Sequence, residues 1–252
     1  MRALRTVFLF TILLPTACFA DENLSIAVAS NFQATVKEIA VEFTQATGTP
    51  VRISAGSSGK LFAQIVNGAP YDVFLSADAA RPKLLEESGV ALKGSRVSYA
   101  TGALVLWSAD ESLAGQDCLQ ALKTGSYRRL SIANPSTAPY GLAAKEFLLA
   151  SGLFDSAQGR MVYGENISQA LQFVVTGNAT LGLIAMSQVK GGLPLKPTCS
   201  WNVPQAMHSV IDQQAVVLSA SSKTDTARRF MKFLRSAPVE GILENHGYKV
   251  PE

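Results

Sequence analysis

The chain has 252 residues, of which 48% are hydrophobic and 16% are charged, with a formal net charge of +3. This length suits about two domains of about 100–200 residues each, and the absence of low-complexity runs and internal repeats excludes disordered, collagen-like and solenoid proteins. The basic residues are too scattered for a nucleic-acid partner, since phosphate binding needs clustered lysine and arginine.

The first twenty residues, MRALRTVFLFTILLPTACFA, predict a secretory signal peptide. Two arginines precede an apolar run, and the small residues Cys18 and Ala20 stand at the positions that a signal peptidase reads. We expect cleavage before Asp21 and export of a soluble protein, because no later stretch approaches about 20 consecutive apolar residues. Removing the two arginines from the 22 basic residues leaves 20 against 19 acidic ones, a net charge near +1. The alternatives are a buried N-terminal helix and a lipoprotein anchor at Cys18, which Pro15 disfavours.

The mature chain then alternates between strand-like and helix-like segments. The apolar run LSIAVAS (Leu24–Ser30) predicts a buried strand, and the next segment places apolar residues at helical spacing up to Gly48. Two more pairs follow, PVRISAG with KLFAQIVNG and YDVFLSAD with AARPKLLEESG. Such alternation predicts a parallel sheet with right-handed crossovers.

A longer β-rich run, Ser98–Ala109, interrupts this pattern, and a second α/β set follows it. Another β run, Asp212–Ala220, precedes two helix-like segments at the C-terminus. Two long β runs around a complete inner unit predict an inserted domain with a two-stranded connection. We therefore expect one lobe from residues 21–105 plus 212–252 and a second from 106–211, joined by a two-stranded hinge.

Two cysteines remain after processing, Cys118 and Cys199. An even count in an oxidising compartment predicts one disulfide. The alternative is a pair of free buried thiols.

The loop within RISAGSSGKLFAQI, Arg52–Ile65, resembles an anion-binding loop but fits neither of two common motifs. A P-loop needs serine or threonine after its lysine and a glycine where Ser54 stands. A nucleophile elbow needs Gly-x-Ser-x-Gly, and GSSG is one residue short. The two histidines, His208 and His246, lie in no catalytic or metal-binding motif. An exported hydrolase built from scattered residues stays open as the less favoured alternative.

Four loops link a β segment to the start of a helix, and each carries small or hydroxyl-bearing residues there. Helix starts offer unpaired N–H groups and a partial positive charge, and they bind oxyanions without a cationic side chain. In an open α/β sheet, the ligand crevice lies at the carboxyl ends of the strands, where these loops would be. The alternative is that all four are ordinary helix caps. The loops contain Ser30-Asn31, Ser57-Ser58, the stretch NPSTAPYG up to Gly141, and Asn166-Ile167.

Several stretches, in order along nearly the whole mature chain, resemble the periplasmic molybdate-binding proteins of bacterial ABC importers. They are AVASNF, SAGSSGKLFAQIVNGAPYDVFLSAD, IANPSTAPYGLAAKEFL, YGENISQALQFV, LGLIAMSQV and DQQAVVL. The resemblance implies a type II periplasmic-binding fold, α/β and two-lobed, with a mixed, mostly parallel sheet in each lobe and the ligand in the cleft between them. It implies a monomeric periplasmic binding protein that is not an enzyme, has no cofactor and partners a membrane permease.

The ligand implied is molybdate or tungstate, with molybdenum held as the oxyanion and not through direct metal ligands. The resemblance assigns hydroxyl and backbone N–H donors to Ser30 and Ser58, a supporting contact to Asn31, and backbone N–H donors to Tyr140 and Ile167. Because every contact donates, the site should select a fully deprotonated tetrahedral ion. Another oxyanion, such as sulfate or phosphate, is the alternative ligand.

Two positions near this set need separate interpretation. Many family members have a tyrosine whose phenol reaches the anion, and here that position corresponds to Ala185, so this donor is absent. Lys60 lies one turn into its helix, and we expect it to be a solvated surface lysine that points away from the site.

Overall fold

The computed structural model describes residues 23–192 and 195–251, which form two five-stranded sheets flanked by helices. The predicted signal peptide, residues 1–20, lies outside the described residues. No helix of the described ranges is long and apolar enough to span a membrane. The strands are β1 (Leu24–Ala29), β2 (Val51–Gly56), β3 (Val73–Leu75), β4 (Val97–Gly102), β5 (Leu104–Ser108), β6 (Leu130–Ala133), β7 (Met161–Gly164), β8 (Leu181–Ala185), β9 (Cys199–Asn202) and β10 (Ile211–Val217). The helices are α1 (Gln33–Thr47), α2 (Ser58–Val66), α3 (Ala80–Glu87), α4 (Cys118–Thr124), α5 (Pro139–Ala150), α6 (Phe154–Gln158), α7 (Ile167–Val175), α8 (Met186–Lys190), α9 (Thr224–Phe233) and α10 (Ala237–Asn245).

The two sheets have the same arrangement of strands. The first lobe has the order β2-β1-β3-β10-β4, and the second lobe has the order β7-β6-β8-β5-β9. In each sheet the first three strands run parallel and the remaining two pairings are antiparallel, so the sheets are evenly mixed. Parallel neighbours require helical crossovers, which explains the strand–helix alternation of the sequence. The predicted two-lobed α/β fold is confirmed.

Helix α1 shows how apolar spacing builds the core of the first lobe. Val36, Ile39 and Phe43 recur at helical spacing and are fully buried, each contributing about 1.5–3 kcal/mol through burial. Phe43 packs edge-on against Phe230 of α9, with ring centroids 5.2 Å apart. The helix ends where Gly48 adopts a left-handed φ of 71°, which glycine takes without steric cost. The helix stop expected at this glycine is confirmed.

The β-rich run Ser98–Ala109 is two strands in two different sheets. Strand β4 ends at Gly102 and β5 begins at Leu104, so the chain passes between the lobes at Ala103. It returns through residues 203–210, between β9 and β10. Strand β5 is apolar and buried along its whole length, whereas β4 is an edge strand in which three of the six residues are half-buried. Both segments have strand-like sequence, and the sequence therefore shows no break at the boundary.

Cys118 and Cys199 form a disulfide in the structure, with their Cα atoms 5.4 Å apart. Cys118 is the first residue of α4, and Cys199 begins the edge strand β9. The bond joins a helix to a sheet edge across a sequence separation of 81 residues, wholly within the second lobe.

We expect the unfolded, unreduced mature protein to contain no titratable thiol. The double variant Cys118→Ala/Cys199→Ala should lose about 2–5 kcal/mol of unfolding free energy, because the crosslink restricts the unfolded chain. Urea unfolding of the variant and of the wild type measures the loss. Adding reductant to the wild type should reproduce it, and two reactive thiols in the unreduced protein would contradict the disulfide.

Candidate functional site

The four predicted strand–helix junctions meet in one small cavity between the lobes. Strands β1 and β2 of the first lobe and β6 and β7 of the second lobe point their carboxyl ends at it. The cavity leaves about 10 Å³ for the centre of a water-sized sphere, far below the roughly 300–1,000 Å³ typical of drug-sized ligands. It therefore suits a small ion. The described residues that line it, none of them with a charged side chain, are Ala29, Ser30, Asn31, Gly56, Ser57, Ser58, Ala77, Ala138, Pro139, Tyr140 and Ile167.

Tyr140 brings an unpaired backbone N–H to this cavity from the start of α5. The preceding residue, Pro139, has no N–H, and the N–H groups of Gly141 and Leu142 both donate to the carbonyl of Ala138. This leaves Tyr140, which is 1% exposed, with an N–H that has no acceptor among the described residues. Buried N–H groups without an acceptor are rare and mark a ligand or water position.

Ile167 provides a second such donor at the start of α7. The side chain of Asn166 caps this helix by accepting from the N–H groups of Ser168 and Gln169, each at 3.0 Å. Because the cap serves the second and third positions, the N–H of Ile167 finds no acceptor within the described chain. The side chain of Ile167 packs in the hydrophobic core, as expected for a residue that contributes only its backbone.

Ser58 supplies the donors of the first lobe. It is fully buried at the start of α2, and its backbone N–H has no acceptor in the described ranges. Its hydroxyl oxygen accepts a hydrogen bond from the N–H of Ala77 at 3.0 Å. That contact orients the oxygen and leaves the hydroxyl hydrogen available as a donor.

The neighbouring residue Ser57 was not among the predicted site residues, although it belongs to the same Gly/Ser loop. It precedes α2 but makes no side-chain cap hydrogen bond. Its hydroxyl is buried without a hydrogen-bond partner in the described part of the chain. The helix-start pattern alone did not separate the two serines, and the choice of Ser58 came from the family resemblance.

Asn31 lines the cavity, but its side chain is committed to the first lobe. The amide nitrogen donates to Oε1 of Gln213 at 2.9 Å and to the hydroxyl of Tyr248 at 3.0 Å. Both amide hydrogens are then used within the protein. The hydroxyl of Tyr248 donates in turn to the carbonyl of Asn31 at 2.9 Å. The contribution of this residue to a ligand would come through its backbone and through the position of the loop.

The site is electrically neutral at ordinary pH. Burial raises the pKa of the Tyr140 phenol well above its usual value near 10, and it raises the pKa of Tyr248 to about 12. Neither phenol forms a phenolate near the cavity below pH 10. The Tyr140 hydroxyl lies against Gly102 and beside the amide of Gln213, without a well-formed hydrogen bond.

Four contacts close the lobes over the cavity. The Ser168 hydroxyl donates to the Ser30 carbonyl at 3.3 Å, and the Ser187 hydroxyl donates to the Asn31 carbonyl at 3.0 Å. The Gly59 N–H donates to the Thr137 carbonyl at 2.8 Å. The fourth contact is an ion pair of 2.7 Å between Lys60 Nζ and Glu165 Oε1.

Lys60 is a surface lysine, as expected, but it is not free. Its side chain is half-exposed, and it points across the mouth of the cleft to Glu165 instead of away from the site. An exposed pair of this kind is worth about 0.2–1 kcal/mol. Ala185 occupies the position at which many family members have a tyrosine that contacts the anion. It is not among the described residues that line the cavity, and its N–H donates to Oε1 of Gln188.

Comparison with known proteins agrees with this geometry. The family described as bacterial extracellular solute-binding protein matches residues 24–249. The molybdate-binding protein ModA of Azotobacter vinelandii is 42% identical over 233 residues, which is 92% of each chain. The protein of the same name from Rhodobacter capsulatus is 42% identical over 222 residues, 88% of this chain and 86% of the relative. The chain belongs to the ModA family of bacterial extracellular solute-binding proteins.

The ModA family also accounts for the fold. The solved structure of the Azotobacter vinelandii periplasmic molybdate-binding protein matches with a TM-score of 0.85 at 38% identity. The match covers 91% of this chain and 100% of that one. The resemblance inferred from the sequence stretches is confirmed.

We expect Asn31→Ala to destabilise the protein even without a ligand. The variant loses two buried hydrogen bonds, to Gln213 and Tyr248, and should lose about 1–3 kcal/mol of unfolding free energy. Urea unfolding measures this loss. The matched control is Asn178→Ala, an exposed asparagine whose amide nitrogen donates to the Thr176 hydroxyl, and it should stay within about 0.5 kcal/mol of the wild type. Equal stability of the two variants would contradict the structural role of Asn31.

Proposed function

We propose that this protein is the substrate-binding component of an ABC importer. It captures molybdate, and tungstate equally, in the periplasm and delivers the ion to the membrane permease. The observation that carries the proposal is the convergence of three buried backbone N–H donors, on Ser58, Tyr140 and Ile167, on one small neutral cavity. Membership of the ModA family, whose relatives in Azotobacter vinelandii and Rhodobacter capsulatus are molybdate-binding proteins, supports the choice of ligand.

Hydrogen bonds replace the water shell of the ion in this proposal. A bond from a neutral donor to a charged acceptor contributes about 1.5–3 kcal/mol, and several are needed to offset the loss of hydration. The hydroxyls of Ser30 and Ser58 and the backbone N–H groups supply them, with Asn31 holding the loop that carries Ser30. The backbone donors provide no acceptor for a protonated oxygen, so the site favours a fully deprotonated ion.

Size adds a second level of selection. Molybdate and tungstate have nearly the same dimensions, so fixed donors treat them alike. Sulfate is smaller, and it leaves part of the donor set beyond hydrogen-bond distance. Phosphate carries one or two protons near neutral pH. A protonated phosphate oxygen is itself a donor, and it would face N–H and O–H donors with no acceptor for its proton.

The lobes carry the donors toward each other. We infer that the lobe built on the first sheet moves against the lobe built on the second about a two-stranded hinge, with one strand of the hinge passing through Ala103 and the other through residues 203–210. Ser30, Asn31 and Ser58 belong to the first body, and Tyr140 and Ile167 belong to the second. An open state would separate these groups and expose them to water, and a bound ion would favour the closed state. The proposal requires no cofactor, no catalytic residue and no second copy of the chain.

We expect molybdate and tungstate to raise the melting temperature by several degrees. A ligand at about 100 times its dissociation constant adds about 2.7 kcal/mol of stability. A thermal-shift panel with molybdate, tungstate, sulfate, phosphate and nitrate measures the effect. Sulfate, phosphate and nitrate should cause little change, and an equal rise with sulfate would overturn the proposed selectivity.

Substitutions at Ser58 test the neutral-donor mechanism. Ser58→Ala removes one hydroxyl donor and should weaken molybdate binding by about tenfold to a hundredfold, from about 1.5–3 kcal/mol. Ser58→Asp places a carboxylate against the dianion, a like-charge contact that costs several kcal/mol, and binding should disappear in calorimetric titration. Ser156→Asp, on the exposed surface of α6, adds the same charge at a residue that does not line the cavity and should bind like the wild type.

Lys60→Ala completes this series. Loss of its exposed pair with Glu165 should weaken binding by no more than about fivefold, corresponding to about 1 kcal/mol. Abolished binding in Lys60→Ala, with binding kept in Ser58→Asp, would show that the loop works by cationic attraction.

A further inference from the structure

Gly59 makes a direct backbone contact between the two lobes beside the cavity. Its N–H donates to the Thr137 carbonyl at 2.8 Å. A Cβ atom at position 59 would lie 2.9 Å from that carbonyl oxygen and 3.0 Å from the Thr137 Cα. Ordinary contacts of a Cβ begin near 3.4 Å, so any side chain here would force the two backbones apart by roughly half an ångström.

The backbone conformation of Gly59 does not itself require glycine. It is the second residue of α2, and it is not among the glycines of the described chain that have a positive φ. Alanine at such a helical position is normally favoured over glycine. The close approach to Thr137 is therefore the feature that excludes a side chain.

This contact lies between the groups that hold the proposed ligand. Gly59 directly follows Ser58, and Thr137 precedes Tyr140 by three residues. The Thr137 carbonyl is held in a turn in which the N–H groups of Thr137 and Ala138 both donate to the Asn134 carbonyl, at 3.2 and 2.9 Å. A guanidinium nitrogen of Arg81 would also lie 3.0 Å from that Cβ, but this long side chain can move aside. The Thr137 contact cannot yield in that way, because both of its partners are backbone.

We propose that the Gly59–Thr137 contact is a positioning contact that fixes how far the lobes close, and with it the distance between the Ser58 and Tyr140 donors. Gly59 thereby determines affinity for a tetrahedral oxyanion that it does not need to touch. This inference rests on the proposed function. It adds that closure has a hard backbone limit, which a single methyl group shifts.

The test is Gly59→Ala, compared with Gly241→Ala as the matched control. Gly241 is a helical glycine in α10, and a Cβ there would meet no atom within 4 Å. Both variants make the same change in helix preference, and both should melt at or slightly above the wild-type temperature without anion. In calorimetric titration with sodium molybdate and with sodium tungstate, Gly59→Ala should bind at least tenfold more weakly. Gly241→Ala should bind within twofold of the wild type.

A distance measurement separates this inference from the proposed function. Spin labels on cysteines introduced at the exposed positions Asn67 and Asp155, one in each lobe, report the interlobe distance with and without anion. The wild type should populate a short, closed distance that Gly59→Ala lacks or populates much less. If the wild type binds neither molybdate nor tungstate, the proposed function fails, and the distance distributions still decide the inference.

Two results would overturn the proposal that the Gly59–Thr137 contact limits closure. One is Gly59→Ala with wild-type affinity or with the wild-type closed population. The other is a wild type that never shows the closed distance, because the Gly59–Thr137 contact would then not form in solution.

Discussion

The structure depends on the unpaired N–H groups that every helix start leaves behind. A helix cannot satisfy its first donors internally, and a buried donor without an acceptor costs about 1–3 kcal/mol. In this protein the starts of α2, α5 and α7 are buried at one place, with their donors turned to the same small space. The cost of leaving them unpaired makes that space selective for an acceptor, and a compact dianion offers more acceptor capacity than water.

Neutrality of the lining follows from the same constraint. A lysine or arginine in the cavity would attract any anion, whatever its size or protonation, whereas N–H and O–H donors discriminate by position and direction. The hydrogen bonds of Asn31 with Gln213 and Tyr248 hold the loop after β1 in position without placing a charge in the cavity. Charge is kept at the rim of the cleft, where Lys60 pairs with Glu165 in water and contributes little.

Much of this arrangement could be predicted from the sequence, because local patterns specify it. The alternating strands and helices and the Gly/Ser loop before α2 were all visible, and the cavity lining includes each of the five predicted residues. What could not be predicted depends on pairs far apart in the chain. In the sequence, Asn31 has the features of a ligand donor. In the structure, its side-chain amide donates to the hydroxyl of Tyr248, 217 residues away in the chain. Strand β9 was missed because it is a short edge strand without strong apolar alternation, and the boundary at Ala103 was hidden within continuous strand-like sequence.

The C-terminal segment supports the loop after β1, which carries Asn31. Lys249 pairs with Thr101 along the outer side of β4. Tyr248, in the same segment, exchanges hydrogen bonds with Asn31 in the loop after β1. Removing the segment from Tyr248 onward would leave both sheets complete while taking away a support of the loop after β1.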